Sequence, residues 1–387
     1  MTKKLIRYNQ PNISSSDIIA VNKVLRSKQL TQGKVSNTFQ NALIKYTNSK
    51  YCLLFNSAST ALIAACKALD FDSKDILWTS AVSFVASSNC ALFFNSKIEF
   101  LDIDLKSFNI DINLLKKKLE IAKVKKKLPK AIVVVHLGGT PCNLKDINKL
   151  SKKYGFKIIE DASHALGAKF RNTKIGDCKY SHLCIFSFHA IKMITTGEGG
   201  AILVKNKEIF KKVSDLNSHG ITRNIIGKKI KPEWYYENYK LSSNFRLTDF
   251  QSALGLNQLK RINSFLKKRN DIARIYEKHL DTKNLYFQEI SKYDYSSRHL
   301  FIIFLKNNNL RDLLYKYLKS KKIETNLHYI PIYKHPLYRK NYLKKKIRLE
   351  NSEKYYNRAL SLPIHCNLDR KDVLKIIKEI NLFFSNV

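Results

Sequence analysis

From about residue 50 to residue 205, short apolar runs alternate with segments of helical pattern, and that rhythm limits the chain to few folds. "YCLLFN" (51–56) reads as a strand and "SASTALIAACKAL" after it as a helix. "DILWTS" (75–80) is a second strand, followed by the helical "FVASSNCALFF". "KIEFLDID" (97–104), "AIVVVHL" (131–137), "KIIED" (157–161), "HLCIFSF" (182–188) and "AILV" (201–204) extend the series. The helix "NLKDINKLSKKYG" ends at Gly155, which can take the left-handed conformation of a C-terminal cap. Strands alternating with helices predict an α/β fold with a mostly parallel sheet covered on both faces. Ligands of such sheets sit at the carboxyl ends of the strands.

After residue 205 the pattern changes. Residues 248–280 predict one long helical stretch, opened by a capping box of Thr248 and Gln251. "HLFIIFL" (299–305), "LRDLLYKYLKSK" (310–321) and a last helix at 371–384 predict a smaller α+β unit. The expected division is a large domain of residues 1–260 and a small one of residues 261–387.

Composition excludes several classes. No apolar run approaches the ~20 residues of a membrane helix, and the N-terminus lacks a signal-peptide core. A soluble, cytoplasmic protein without membrane partners is expected. The seven cysteines are scattered without paired spacings, which argues against a disulfide framework and a zinc site, so no metal is expected. The net charge of +39 raises the question of nucleic acid. Lysine outnumbers arginine 56 to 14, however, and the charge lies in short runs such as 116–118 and 123–127 that read as solvated helix faces. No nucleic-acid partner is expected; the field should draw polyanionic small molecules.

Against that background one segment stands out. The 25 residues from Tyr180 to Val204 should by chance carry four or five basic side chains; they carry Lys192 alone, in "SFHAIKMITTGEGG" (187–200). A lysine among apolar groups pays desolvation as an ammonium, so its pKa falls and its amine becomes a nucleophile toward carbonyls. A surface lysine that snorkels is the ordinary alternative. Gly197, Gly199 and Gly200 suggest a tight loop beside a flat or bulky group, and Ser187 is within reach of the same place.

Other unusual residues fall where strands end. Asp161 closes "KIIED", with His164 three residues on. It can be a helix cap, a metal ligand together with His164, or the anchor of a protonated ring nitrogen. "NSASTAL" (56–62) offers helix N–H groups and the hydroxyls of Ser59 and Thr60 to a phosphate, or is simply a capped helix. Phe84 is either a stacking surface or a core residue. An aldehyde-binding lysine, a carboxylate for a pyridine nitrogen and a phosphate cup are together what pyridoxal 5′-phosphate (PLP) requires.

"EDASHALGA", "FSFHAIKMITTGEGG", "NSHGITR" and "NFRLTDFQSALGLNQLK" resemble the motifs of the DegT/DnrJ/EryC1/StrS aminotransferases, over residues 5 to 370 or so. The resemblance implies the type I PLP-enzyme fold (aspartate aminotransferase-like) and transamination of nucleotide-linked keto-sugars by a homodimer with shared active sites. By motif, Lys192 resembles the Schiff-base lysine and Asp161 the partner of the pyridine nitrogen. His164 matches the residue beside the cofactor's 3-hydroxyl, and Phe84 the ring-stacking position. Ala58, Ser59 and Ser187 match phosphate contacts, and Asn244 the asparagine lent to the partner's phosphate. Ala58-Ser59 departs from the commoner Gly-Thr cup. "KPEWYYE" (231–237), "NSHGITR" (217–223) and "NLHYIPIY" (326–333) resemble the pseudaminic-acid branch of the family. That implies L-glutamate as donor and C4 amination of UDP-2-acetamido-2,6-dideoxy-β-L-arabino-hex-4-ulose, with Trp234, Tyr235 and His328 near the nucleotide-sugar. Another UDP- or dTDP-keto-sugar is the alternative. A sugar dehydratase would carry histidine in place of Lys192, and a nucleic-acid-binding regulator would need an added module for which no segment is left.

Overall fold

The computed structural model describes residues 4–222, 232, 234–341 and 347–386. Its strands are β1 (Tyr51–Phe55), β2 (Ile76–Ser80), β3 (Lys97–Leu101), β4 (Ala131–Val135), β5 (Lys157–Asp161), β6 (Lys169–Phe170), β7 (Thr173–Lys174), β8 (Leu183–Ser187), β9 (Gly200–Val204), β10 (Ile221–Thr222), β11 (Glu237–Asn238), β12 (Leu285–Phe287), β13 (Phe301–Leu305) and β14 (Ala359–Leu362). Seven of them form the central sheet in the order β1-β9-β8-β5-β4-β2-β3. Neighbours pair in parallel from β3 to β8, while β9 runs antiparallel to both β8 and β1. The fold is α/β with a mostly parallel sheet, as the alternation predicts.

Every residue of β4, β8 and β9 is buried. Alternate side chains of a strand point to opposite faces, so Ile132 and Val134 join one core, while Val133 and Val135 join the other. Burial on both faces accounts for the unbroken apolar runs. The helices Ala58–Ala68, Ala86–Leu92 and Lys207–Asn217 carry residues of the second core; Ile112–Val124 and Leu144–Tyr154 carry residues of the first. Gly155 caps the latter helix at φ 82°.

The stretch 248–280 is two helices, Asp249–Lys260 and Ile262–His279, rather than one. The Thr248–Gln251 capping box opens the first, as expected. The break falls at Arg261, whose N–H turns back to the carbonyls of Gln258 and Leu259, while its guanidinium pairs with buried Asp17. The longer of the two helices begins a third core with β12, β13, β14 and the helices Leu310–Ser320 and Arg370–Ser385. We propose the domain boundary at this break. Ile6 packs into that later core and pairs with Ile323, so the N-terminal arm reaches the small unit. Among the described residues, no helix is long and apolar enough to cross a membrane, and no cluster of three or more His, Cys, Asp or Glu is placed to hold a metal ion.

Candidate active site

The carboxyl ends of β1, β2, β4, β5 and β8 face one cavity of about 560 Å³. Lys192, Asp161, His164, Ser187, Ala58, Ser59, Phe84 and His328 all line it. Register brings them together. Gly200 of β9 pairs with Ser187 of β8 on one side and with Phe55 of β1 on the other. Ser187 and the start of helix Ala58–Ala68, just after β1, are thereby set side by side. Asp161 pairs with Ile185, two residues before Ser187.

Lys192 stands on the loop between β8 and β9. The loop is closed by Phe188 N–H to Gly199 O at 2.8 Å and by Thr196 N–H to Phe188 O at 2.9 Å. The side chain runs into the cavity, not along the surface. Burial pushes its pKa from 10.5 down to about 8, with the Asp161 carboxylate opposing the shift.

Asp161 is 6% exposed. One carboxylate oxygen accepts the Ser87 hydroxyl at 2.7 Å; the other accepts the Ser163 hydroxyl at 2.6 Å and the Ser163 N–H at 3.2 Å. The segment after it is a turn, so Asp161 does not cap a helix. Both of its oxygens thus act as acceptors.

Ser57 caps the helix Ala58–Ala68 by accepting the Thr60 N–H at 3.1 Å. The first N–H groups of a helix lack carbonyl partners within it, which leaves those of Ala58 and Ser59 beside the cavity. The Thr60 hydroxyl, an expected phosphate contact, is instead turned to Asn56 Oδ1 at 2.6 Å. Phe84 is 56% exposed and therefore no core residue. Burial and the neighbouring Lys192 push His328 down to about 3 and His164 well below the usual imidazole range, so both are neutral.

Three expected residues stand apart from the cavity of this chain. Asn244 bridges Ser218, and its carbonyl accepts Asn56 Nδ2 at 3.1 Å. Trp234 is 74% exposed, with its ring 6.2 Å from that of Tyr235, whose hydroxyl donates to Glu237 at 2.7 Å. Arg223, Lys231 and Glu233 of the motifs quoted above lie outside the described residues. Sequence reasoning missed Tyr8, Ser83, Ser163, Asn326 and Tyr329, all of which line the cavity. Ser163 lies inside "DASH" and Tyr329 inside "NLHYIPIY", so the motifs held the signal unread.

A model of the DegT/DnrJ/EryC1/StrS aminotransferase family matches residues 11–381. The chain belongs to that family. It is thus an aminotransferase, a transferase of nitrogenous groups. Among its relatives is the UDP-4-amino-4,6-dideoxy-N-acetyl-beta-L-altrosamine transaminase of Campylobacter jejuni, 39% identical over 379 residues, covering 97% of this chain and 96% of the relative. A transaminase of the same name from Helicobacter pylori is 34% identical over 381 residues, with 96% of each covered. The solved structure of Helicobacter pylori PseC, described as an aminotransferase involved in the biosynthesis of pseudoaminic acid, superposes with a TM-score of 0.91 at 33% identity. It covers 99% of this chain and 100% of that one. This family membership carries the fold class, the PLP type I arrangement of a large α/β sheet and a smaller unit.

Proposed function

We propose that this aminotransferase uses PLP to pass an amino group from L-glutamate to C4 of UDP-2-acetamido-2,6-dideoxy-β-L-arabino-hex-4-ulose, a step of pseudaminic-acid biosynthesis. The cofactor reading rests on one observation: the cavity that holds Lys192, with its pKa near 8, also holds a donor-ringed Asp161 and a free helix start. These residues fit PLP. Lys192 would bind its aldehyde and Asp161 its ring nitrogen. Ala58, Ser59 and Ser187 would hold its phosphate, and exposed Phe84 would cover the ring. The substrate reading rests on full-length similarity to transaminases named for that product.

When bound, PLP supplies a carbonyl for amines and a protonated ring that accepts electrons from the carbon under attack. The chain supplies the rest. Lys192 Nζ, near neutrality, takes the proton from the donor's Cα and can return it. Asp161, fixed by Ser87 and Ser163, would accept a hydrogen bond from the ring nitrogen it faces. His328, neutral and with Nδ1 held 2.9 Å from the Ser361 hydroxyl, faces the keto-sugar. Asn244, Trp234 and Tyr235 would serve the cavity of a second copy, which makes the functional unit a homodimer, working in the cytoplasm.

The test is an assay of purified protein with PLP, glutamate and a panel of UDP- and dTDP-linked keto-sugars, read by product mass. The UDP-linked 2-acetamido-4-keto sugar is expected to gain an amine. Amination of a dTDP-sugar alone would move the substrate, and near-wild-type turnover by Lys192→Ala would sink the mechanism.

A further inference from the structure

Asn326, Leu327, His328 and Tyr329 follow one another along one wall of the cavity, outside any helix or strand. Such a segment takes its shape from the groups that bond it. The Asn326 N–H donates to the Ser361 carbonyl of β14 at 3.2 Å, and the Ser361 N–H to the Asn326 carbonyl at 2.7 Å. The Ser361 hydroxyl lies 2.9 Å from His328 Nδ1, and the Tyr355 hydroxyl donates to the His328 carbonyl at 2.7 Å. Ser361 and Tyr355 are both buried. The helix Glu350–Arg358 and β14, which follow directly in the chain, therefore grip this wall from behind.

The grip is anchored in the central sheet. Leu349, the N-cap of that helix, offers its first turn no side-chain acceptor. Asp102, one residue beyond β3, takes that role. Its carboxylate accepts the Asn351 N–H at 3.0 Å, the Ser352 N–H at 2.8 Å and the Ser352 hydroxyl at 2.6 Å. Asn351 Nδ2 donates in return to the Ile103 carbonyl at 2.8 Å. A carboxylate there satisfies N–H groups that have no partner inside the helix and suits the helix dipole. The Tyr355 ring stands edge-on to Phe108, at 5.1 Å and 68°, in the core that Ile103 shares with Leu327 and Tyr329.

We infer that Tyr355 is a positioning residue for the keto-sugar: it holds the backbone of His328 while Ser361 holds the ring, so that Nε2 is the atom His328 presents to the cavity. This rests on the reading above, in which His328 faces the keto-sugar. Tyr355 is not among the residues that line the cavity, so it acts through His328 and touches no substrate itself. Its hydroxyl has one hydrogen and spends it on the carbonyl. Burial pushes the phenol well above its usual range, so that hydrogen stays in place. Lys192, Asp161 and the start of helix Ala58–Ala68 are carried by other elements. A loosened wall should therefore spoil the half-reaction with the sugar and spare the half-reaction with glutamate.

Two measurements on Tyr355→Phe decide. In the cofactor-free protein, amide hydrogen exchange at residues 326–329 should be faster than in wild type; unchanged exchange would show that the Tyr355 bond does not hold the wall. In the PLP-loaded protein the two half-reactions are read apart. The single-turnover rate with glutamate, followed by the visible band, should stay near that of wild type. For the UDP-linked keto-sugar kcat/KM should fall about tenfold, the usual effect of stranding a buried hydrogen-bonding group. Equal slowing of both half-reactions would reduce Tyr355 to a structural residue, and wild-type kcat/KM for the sugar would refute its role outright. Ser361→Ala frees the ring but keeps the backbone bonds of Ser361, so it should show the same one-sided loss. It decides by the same outcomes where Tyr355→Phe does not fold. A wild-type protein that reacts with glutamate but aminates none of the keto-sugars would refute the proposed function instead, and the positioning role with it.

Discussion

Gly200 lies so close to the first turn of helix Ala58–Ala68 that a Cβ on it would stand 2.6 Å from the nitrogen of Ala58. The carbonyl carbon of Ser57 would be only 2.7 Å away. These neighbours are backbone and cannot rotate aside. Gly200 also pairs with both Phe55 and Ser187, so any shift to relieve the clash pulls the proposed phosphate cup apart. Gly200→Ala should destabilise the protein by about 1–3 kcal/mol, the usual range for overpacking. It should weaken PLP binding further than that loss of stability explains. Thermal melts with and without PLP check this; an unchanged melting temperature in both would show that the cup does not depend on the close approach.

Ser87 holds Asp161 from a second helix. Its hydroxyl donates to Asp161 Oδ2 at 2.7 Å and shares a 2.7 Å bond with Ser83. Ser87→Ala removes a bond to a charged acceptor, about 1.5–3 kcal/mol at a buried site. The Ser163 bonds to Oδ1 remain. The expected outcome is a folded protein with weaker PLP affinity, measured by titrating the visible band. Unaltered affinity would mean that Asp161 is positioned by Ser163 alone.

Much of this was legible in the sequence, and the reasons differ by residue. β4 and β8 are buried throughout, so their apolar runs survive any ambiguity of local propensity. Lys192 was visible because its surroundings lack other charges, and Asp161 because it ends such a strand. The direction of β9 was not legible: "AILV" has the same pattern parallel or antiparallel. The break at Arg261 was hidden because no glycine or proline marks it and its partner Asp17 is 244 residues away in the chain. The helices Ser15–Leu25 and Lys34–Thr47 were overlooked ahead of the strand series. Tyr329 and Tyr8 reach the cavity from far ends of the chain, and a pairing such as Tyr355 with His328 leaves no local trace.

Asp17 offers a test of that hidden contact. It is fully buried and accepts from Asn257 Nδ2 at 2.7 Å, from Gln258 Nε2 at 2.8 Å and from the Arg261 guanidinium. Burial by itself would raise its pKa, but the bonds from Ser14 and Asn257 and the charge of Arg261 outweigh it and hold the carboxyl below the usual range. A carboxyl lowered by folding stabilises the protein above its unfolded pKa, and that stability is lost as pH falls through the folded one. Asp17→Asn should therefore cost about 3 kcal/mol or more near neutral pH, since it leaves Arg261 without its counter-charge. The deficit relative to wild type should shrink as pH drops below about 4. Denaturant melts at pH 7 and pH 3 compare the two; a deficit independent of pH would show that the charge of Asp17 is not what binds the helices.

Lys192 shares that direction with pH, but its charge costs stability where that of Asp17 adds it. Folding lowers its pKa from 10.5 to about 8, so between those values the unfolded chain binds more protons than the folded one. Stability of the cofactor-free protein should then rise with pH from about 8 toward 10.5, as the cost of burying the ammonium disappears. Below pH 8 that cost is present in full, on the order of 1–3 kcal/mol. Lys192→Met, which keeps the side-chain bulk without the charge, should melt higher than wild type at pH 7. The gap should close between pH 8 and pH 10. The same titration governs chemistry: the free amine adds to an aldehyde and the ammonium does not, so PLP uptake by wild type should speed up with pH and level off above about 8. Stopped-flow absorbance reads the uptake and calorimetry the melting. An uptake midpoint near 10, together with no stability gain in Lys192→Met, would show that the cavity leaves Lys192 an ordinary lysine.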